Sequence, residues 1–242
     1  MQSIRKNIPN TITLCNLLCG CIAVKNAFEG GLDQAALFIF LAAIFDFFDG
    51  FTARKLGVSS PIGKELDSLA DVVSFGLAPA TMLFFMLQNT LFPHIDSHTW
   101  TPVEFLPYTA FLIAAFSAFR LAKFNLDERQ THGFIGLPTP ANALLVIGLT
   151  TSLTMNNLLA DHLWLLTATA LLVVPALCWL LVCEVPMFSF KEGKRWPYAF
   201  AIGTLVISEV VARWHPYSGT GLLICMLAYV GIGLTRHYLL GK

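Results

Sequence analysis

An all-α, polytopic transmembrane helix bundle is the fold class this sequence predicts, and three observations carry it. Hydrophobic residues make up 56% of the 242 and charged residues only 12%, about half of the ~25% usual in a soluble domain. Apolar runs of ~20 residues, enough to cross the hydrocarbon core, recur along the whole chain. The runs are continuous rather than alternating, which excludes a transmembrane β-barrel.

Eight spans are expected, roughly at 11–28, 34–56, 61–90, 103–124, 138–159, 163–184, 197–214 and 218–239. The first follows MQSIRKNIPN directly and has no small-residue cleavage site behind it, so it reads as a span rather than a signal peptide. The second closes in the basic pair Arg54 and Lys55, and Lys55 to Ser60 make a short connection. Ser60 suits the N-cap of the third span and Pro61 its first helical position. Between the fourth and fifth lies a loop with Arg120, Lys123 and Arg129, and Pro138 and Pro140 stiffen the entry to span five. No long polar segment separates any of the spans, so residues 1–242 are expected to form a single membrane-embedded domain.

Basic residues set the orientation. With the N-terminus in the cytoplasm, thirteen lysines and arginines face that side, and only Lys25 and Arg213 face the other. The bias favours an even number of spans, with both termini cytoplasmic. The six cysteines, Cys15, Cys19, Cys21, Cys178, Cys183 and Cys225, fall within apolar spans and read as small hydrophobes. No Cys/His spacing resembles a zinc site, and His94 and His98 flank Asp96 in an expected outer loop.

Four carboxylates break the apolar pattern. Asp46 and Asp49 are three apart on one helix and Asp67 and Asp71 four apart on the next, so each pair shares a face. At ~1.5 Å per residue, Asp49 and Asp46 lie about 8 and 12 Å before Arg54, and Asp67 and Asp71 about 10 and 16 Å beyond Ser60. An antiparallel pair of helices joined by the tight turn brings all four to one level. Carboxylates that close repel strongly unless a cation sits among them. Oxygen-only ligands favour Mg²⁺ or Mn²⁺ over zinc. Gly50 and Gly63 flank the cluster, where a missing side chain admits a substrate or simply a neighbouring helix. A proton or sodium relay in a cation-coupled transporter is the other use for such carboxylates.

The pattern Asp46-x2-Asp49-Gly50-x2-Ala53-Arg54-x8-Gly63-x3-Asp67-x3-Asp71 resembles the signature of the CDP-alcohol phosphotransferases, with every fixed position present. The resemblance implies a six-helix core, here about 1–184, so that the spans at 197–239 are additional. It also implies a homodimer, and transfer of a substituted phosphate from a CDP-linked donor to an alcohol with release of CMP. Carried over, it assigns Asp46, Asp49, Asp67 and Asp71 to two divalent metal ions, and Asp71 also to general-base duty. Gly50, Ala53, Arg54 and Gly63 would line the cytidine-diphosphate pocket. Thr13 and Asn16 in PNTITLCN resemble positions near the nucleotide, although polar residues are also ordinary at a helix start.

A second stretch, FRLAKFNLDERQTHGFIGLPTPANA at 119–143, resembles the region that marks the serine-using branch of that family. It implies CDP-diacylglycerol as donor, L-serine as acceptor, membrane lipid as surroundings and no nucleic acid as partner. Arg120 becomes the candidate ligand for an acceptor carboxylate or a phosphate, unless its charge only follows the orientation rule. Glycerol 3-phosphate and inositol phosphate are the alternative acceptors, against which no further cluster of cations stands out. The His-x-Lys-x4-Asp motif of the phospholipase D-type synthases is absent. A bacterial or archaeal-type inner or plasma membrane is the expected location. For a transporter, the Gly-x2-Ala-Arg spacing has no purpose and no clear inverted repeat is present.

Overall fold

The computed structural model describes residues 2–58, 60–91, 102–126, 134–155, 167–187 and 220–240. Seven helices fill these segments: α1 (Gln2–Phe28), α2 (Leu32–Leu56), α3 (Pro61–Leu91), α4 (Glu104–Leu126), α5 (Thr139–Met155), α6 (Thr169–Val182) and α7 (Thr220–Leu240). Four of them, α1 from Asn7 onward, α2, α3 and α4, are long and apolar enough to cross a membrane. The predicted all-α helical membrane bundle is the observed architecture. The span expected at 197–214, together with His94, Asp96, His98 and Arg129, lies outside the described residues.

The turn between α2 and α3 is built by its residue types. Gly57 takes φ 62° and its N–H closes on the Arg54 carbonyl, while the Val58 N–H reaches back to Ala53. A left-handed residue is the usual way to stop a helix, and glycine has no Cβ to resist it. Ser60 then accepts the Gly63 N–H at 3.1 Å and Pro61 opens α3, as the sequence predicts. This fixes two antiparallel helices with their acidic faces at one end.

Two apolar clusters hold the bundle. In the first, Ala23, Ala27, Ala35, Ile39 and Ala42 of α1 and α2 meet Phe75 and Met82 of α3. Small residues along the α1–α2 seam let the backbones approach closely, which is how helices associate where lipid supplies no hydrophobic drive. The second joins α3 through α7, with Leu83, Leu87, Ile113, Val146, Leu177 and Tyr229 among its members. Large side chains such as Leu18, Phe47, Leu69, Phe119 and Leu172 point outward, as expected of a surface solvated by lipid tails.

Among the described residues, four local features depart from plain helical spans, the π-helical opening of α6 at Thr169–Val173 being one. Directly after Asp71, α3 passes through a π-helical turn at Val72–Leu77 before returning to α-helix. The chain entering α4 is 3₁₀-helical over Pro102–Phe111, where Pro107 has no N–H to continue an α ladder. Finally, β1 (Phe134–Ile135) and β2 (Pro186–Met187) form a two-residue antiparallel bridge. This clips the segment before α5 to the segment after α6.

Candidate metal and substrate centre

At the turn end of α2 and α3 the acidic residues converge. One oxygen from each of Asp46, Asp49 and Asp67 lies within 4.8 Å of the others. The carboxyl groups of Asp46 and Asp67 are within hydrogen-bond reach of each other, which requires a proton or a cation between them. Asp67 Oδ1 is buried and has no hydrogen-bond partner. An orphaned carboxylate oxygen in a cluster of three, all hard oxygen donors, fits a divalent cation of the Mg²⁺ or Mn²⁺ kind. Asp71 stands beside this trio, close enough to interact with Asp46 and Asp67, and is buried.

Helix α1 supplies the second layer. Thr13 donates its hydroxyl to Asp49 Oδ2 at 2.6 Å, and Asn16 donates Nδ2 to Asp71 Oδ1 at 3.2 Å. The residues predicted near the nucleotide therefore hold two of the carboxylates. Asn16 also keeps a buried Oδ1 without a partner, and its carbonyl accepts from Ser74 at 3.0 Å. Ser74 belongs to the π turn, so the turn after Asp71 is fastened to the residue that orients Asp71.

The glycines of the motif sit against polar groups. A Cβ on Gly50 would come 3.2 Å from Nη1 of Arg54, which folds back over it. A Cβ on Gly63 would come 3.0 Å from Asn10 Oδ1 and from Ser60 Oγ, so the start of α3 lies against the start of α1. Arg54 is exposed and Ala53 half-buried, on the turn side of the carboxylates.

Arg120 is the deep cation of the site. It is 6% exposed, and its guanidinium lies over the Phe124 ring at 5.9 Å. It interacts electrostatically with Asp71 and with Tyr229 of α7. Its Nε and Nη2 are both buried without a hydrogen-bond partner. Those two nitrogens form one edge of the guanidinium, the edge that takes a carboxylate or phosphate through two parallel bonds. Lys123 is not turned inward: half-exposed, it lies 3.6 Å from the exposed Glu184. Lys64 of α3 binds the Asn125 carbonyl at 2.8 Å, and the Asn125 amide donates to Ser68 at 2.8 Å, tying the end of α4 to α3.

Two polar residues not singled out from the sequence are also buried without partners, Ser117 of α4 and Asn142 of α5. Each breaks an apolar run, and Ser117 lies one turn before Arg120, which was the available signal.

Comparison with known proteins bears on the same residues. A model described as CDP-alcohol phosphatidyltransferase matches residues 6–174, which includes the whole acidic motif and Arg120. The chain is 36% identical over 152 residues to a protein of Bacillus subtilis (strain 168) named CDP-diacylglycerol–serine O-phosphatidyltransferase, covering 63% of this chain and 78% of that one. A protein of the same name from Methanocaldococcus jannaschii is 38% identical over 166 residues, covering 66% and 71% respectively. Another so named, from Mycobacterium leprae (strain TN), is 33% identical over 219 residues, covering 87% and 68%.

Proposed function

The chain belongs to the CDP-alcohol phosphatidyltransferase family, and from that premise we propose that it transfers the phosphatidyl group of CDP-diacylglycerol to L-serine, giving phosphatidylserine and CMP. One observation supports this most: an acidic trio with an orphaned oxygen stands beside a buried Asp71, within electrostatic range of Arg120, whose Nε–Nη2 edge is unpartnered. The names of the relatives support serine as the acceptor.

Asp46, Asp49 and Asp67 would hold the divalent metal, two ions of Mg²⁺ or Mn²⁺ in the full site, with Asp71 at its border. When bound, the metal supplies positive charge that offsets the charge of the donor's two phosphates as CMP departs. Gly50, Ala53, Arg54 and Gly63 would line the nucleotide's place, with Thr13 and Asn16 orienting carboxylates beneath it. Arg120 receives the carboxylate of serine on its Nε–Nη2 edge. With Oδ1 occupied by Asn16, Asp71 uses Oδ2 to accept the proton of the serine hydroxyl. The new bond forms between that hydroxyl oxygen and the phosphatidyl phosphorus. The bond from phosphorus to the CMP oxygen breaks, and CMP leaves with the electron pair. Attack is direct, with no covalent enzyme intermediate. The protein works as a homodimer in an inner or plasma membrane, with its site and both termini on the cytoplasmic side.

The test is release of CMP from CDP-diacylglycerol by purified protein offered a panel of alcohols. L-serine should support release, with little or none from glycerol 3-phosphate, inositol or inositol phosphate. Fast release with glycerol 3-phosphate and none with serine would remove the acceptor assignment.

A further inference from the structure

The strongest unexplained polar group in the bundle is Asn142. It is fully buried on α5, and neither Nδ2 nor Oδ1 has a hydrogen-bond partner. Ser117, also fully buried, has an unpartnered Oγ, and Arg120 adds its bare Nε and Nη2. Burial strips such atoms of water, so each costs free energy until something occupies it. Apart from Asn16 Oδ1 and Asp67 Oδ1 in the acidic centre, the polar side chains named at this end have partners: Asn16 and Thr13 hold carboxylates, and Asn125 and Lys64 tie α4 to α3.

The helices that carry these groups both pack against the π turn that follows Asp71. On α4, Ile113, Ser117 and Arg120 follow at helical spacing and are all buried. On α5, Asn142 precedes Leu145 and Val146 by three and four residues, so it lies on their face. Ile113, Leu145 and Val146 belong to one apolar cluster, which also contains Tyr229 of α7. The helices run in opposite directions, and on each the polar residue lies toward the end where the Asp cluster sits. Arg120 is about 9 Å from the last residue of α4 and Asn142 about 5 Å from the first of α5, at ~1.5 Å per residue. Ser117 also packs against the π turn: a Cβ on Gly76 would lie 3.1 Å from its Cβ.

We infer that Ser117, Arg120 and Asn142 line an amino-acid-reading pocket, in which Asn142 Oδ1 accepts a hydrogen bond from the ammonium group of the acceptor. This rests on serine being the acceptor and says how it is told from other alcohols. The unpartnered atoms match a zwitterion: two guanidinium donors for the carboxylate, and the oxygens of Asn142 and Ser117 for the ammonium. A site built to hydrogen-bond such a group rejects an analogue lacking it far more strongly than an apolar pocket would.

The deciding variant is Asn142→Leu, close in size and free of polar atoms, compared with wild type in CMP release. L-serine, 3-hydroxypropionate (serine without its amino group) and ethanolamine (serine without its carboxylate) serve as acceptors. Wild type should prefer serine over 3-hydroxypropionate. Asn142→Leu should raise KM for serine about ten- to a hundredfold, the worth of a charged hydrogen bond. The preference over 3-hydroxypropionate should collapse, while KM for CDP-diacylglycerol stays within about twofold. Its melting temperature should match wild type or exceed it, because an unsatisfied amide has been removed. Ser117→Ala should act in the same direction with a smaller shift. An unchanged serine KM with preference intact would overturn the pocket, and so would a variant that unfolds, which would make Asn142 structural. Failure of serine itself shows in the wild type, as no serine-dependent CMP release, and would remove both readings.

Discussion

Asp71 differs from the other three carboxylates in what touches it. One of its oxygens is tied to Asn16, and it stands beside the trio of Asp46, Asp49 and Asp67, near enough to interact with them without being part of it. Asp71→Asn keeps the size and the Asn16 contact but not proton acceptance. Turnover should fall by roughly 10²–10⁴-fold, the usual contribution of a general base, while binding of the donor survives. An unchanged rate would make Asp71 a structural residue. Arg120→Lys keeps the charge and loses the two-nitrogen edge. Serine-dependent kcat/KM should fall by about ten- to a hundredfold, equivalent to ~1.5–3 kcal/mol for a charged hydrogen bond; equal rates would mean that charge alone matters there. The carboxylates were legible in the sequence because spacings of three and four put each pair on one face. The Thr13–Asp49 contact was not, since those residues lie 36 positions apart and Thr13 alone is an ordinary polar residue. Lys123 follows three residues after Arg120 in the same string, and packing separates the half-exposed cation from the buried one.

At the scale of elements, the Phe-x-Gly-Leu-Pro-Thr-Pro stretch has a structural task beside any substrate role. Gly136 takes φ +77°, and a Cβ there would lie 2.8 Å from the Leu181 carbonyl oxygen and 2.9 Å from that of Cys183. Its N–H donates to Val185 at 2.9 Å and that of Leu137 to Leu180 at 2.8 Å. The motif therefore anchors the start of α5 on the end of α6, which sets where Asn142 stands. Gly136→Ala should destabilise the protein by about 1–3 kcal/mol through backbone strain, read as a lower melting temperature in detergent. An unchanged melting temperature would show that the turn relaxes freely. Helix ends at Gly57 and Ser60 could be read in advance, since capping depends on a few local residues. The π turn at Val72–Leu77 could not: its sequence, VVSFGL, suits α-helix as well, and its fastening to α1 through Ser74 is a tertiary contact.

Among the described residues, the acidic centre and Arg120 sit at one end of a bundle that turns large apolar side chains outward. The cluster of α1, α2 and α3 carries the acidic centre, and the cluster of α3 through α7 carries the residues around Arg120. Helix α7 lies beyond the 6–174 match, yet it brings Tyr229 to Arg120. The membrane class followed from composition and run length, which depend on the solvent rather than on detailed packing. How α7 meets the rest of the bundle depends on interhelical contacts such as Gly148 against Leu223, which no local pattern announces. At the heart of the proposed function is a metal-dependent transfer centre formed by four clustered carboxylates, Asp49 and Asp71 buried, Asp46 and Asp67 half-buried. The most direct measurement is the rate of CMP release from CDP-diacylglycerol and L-serine, with Mg²⁺ or Mn²⁺ and with chelator, for wild type and for Asp46→Ala, Asp49→Ala and Asp67→Ala. Wild-type release should stop with chelator and return with metal, and each variant, still folded in detergent, should lose at least ~10²-fold, the scale of a disrupted metal site. A tenth or more of wild-type activity in all three variants, or release indifferent to chelator, would contradict it.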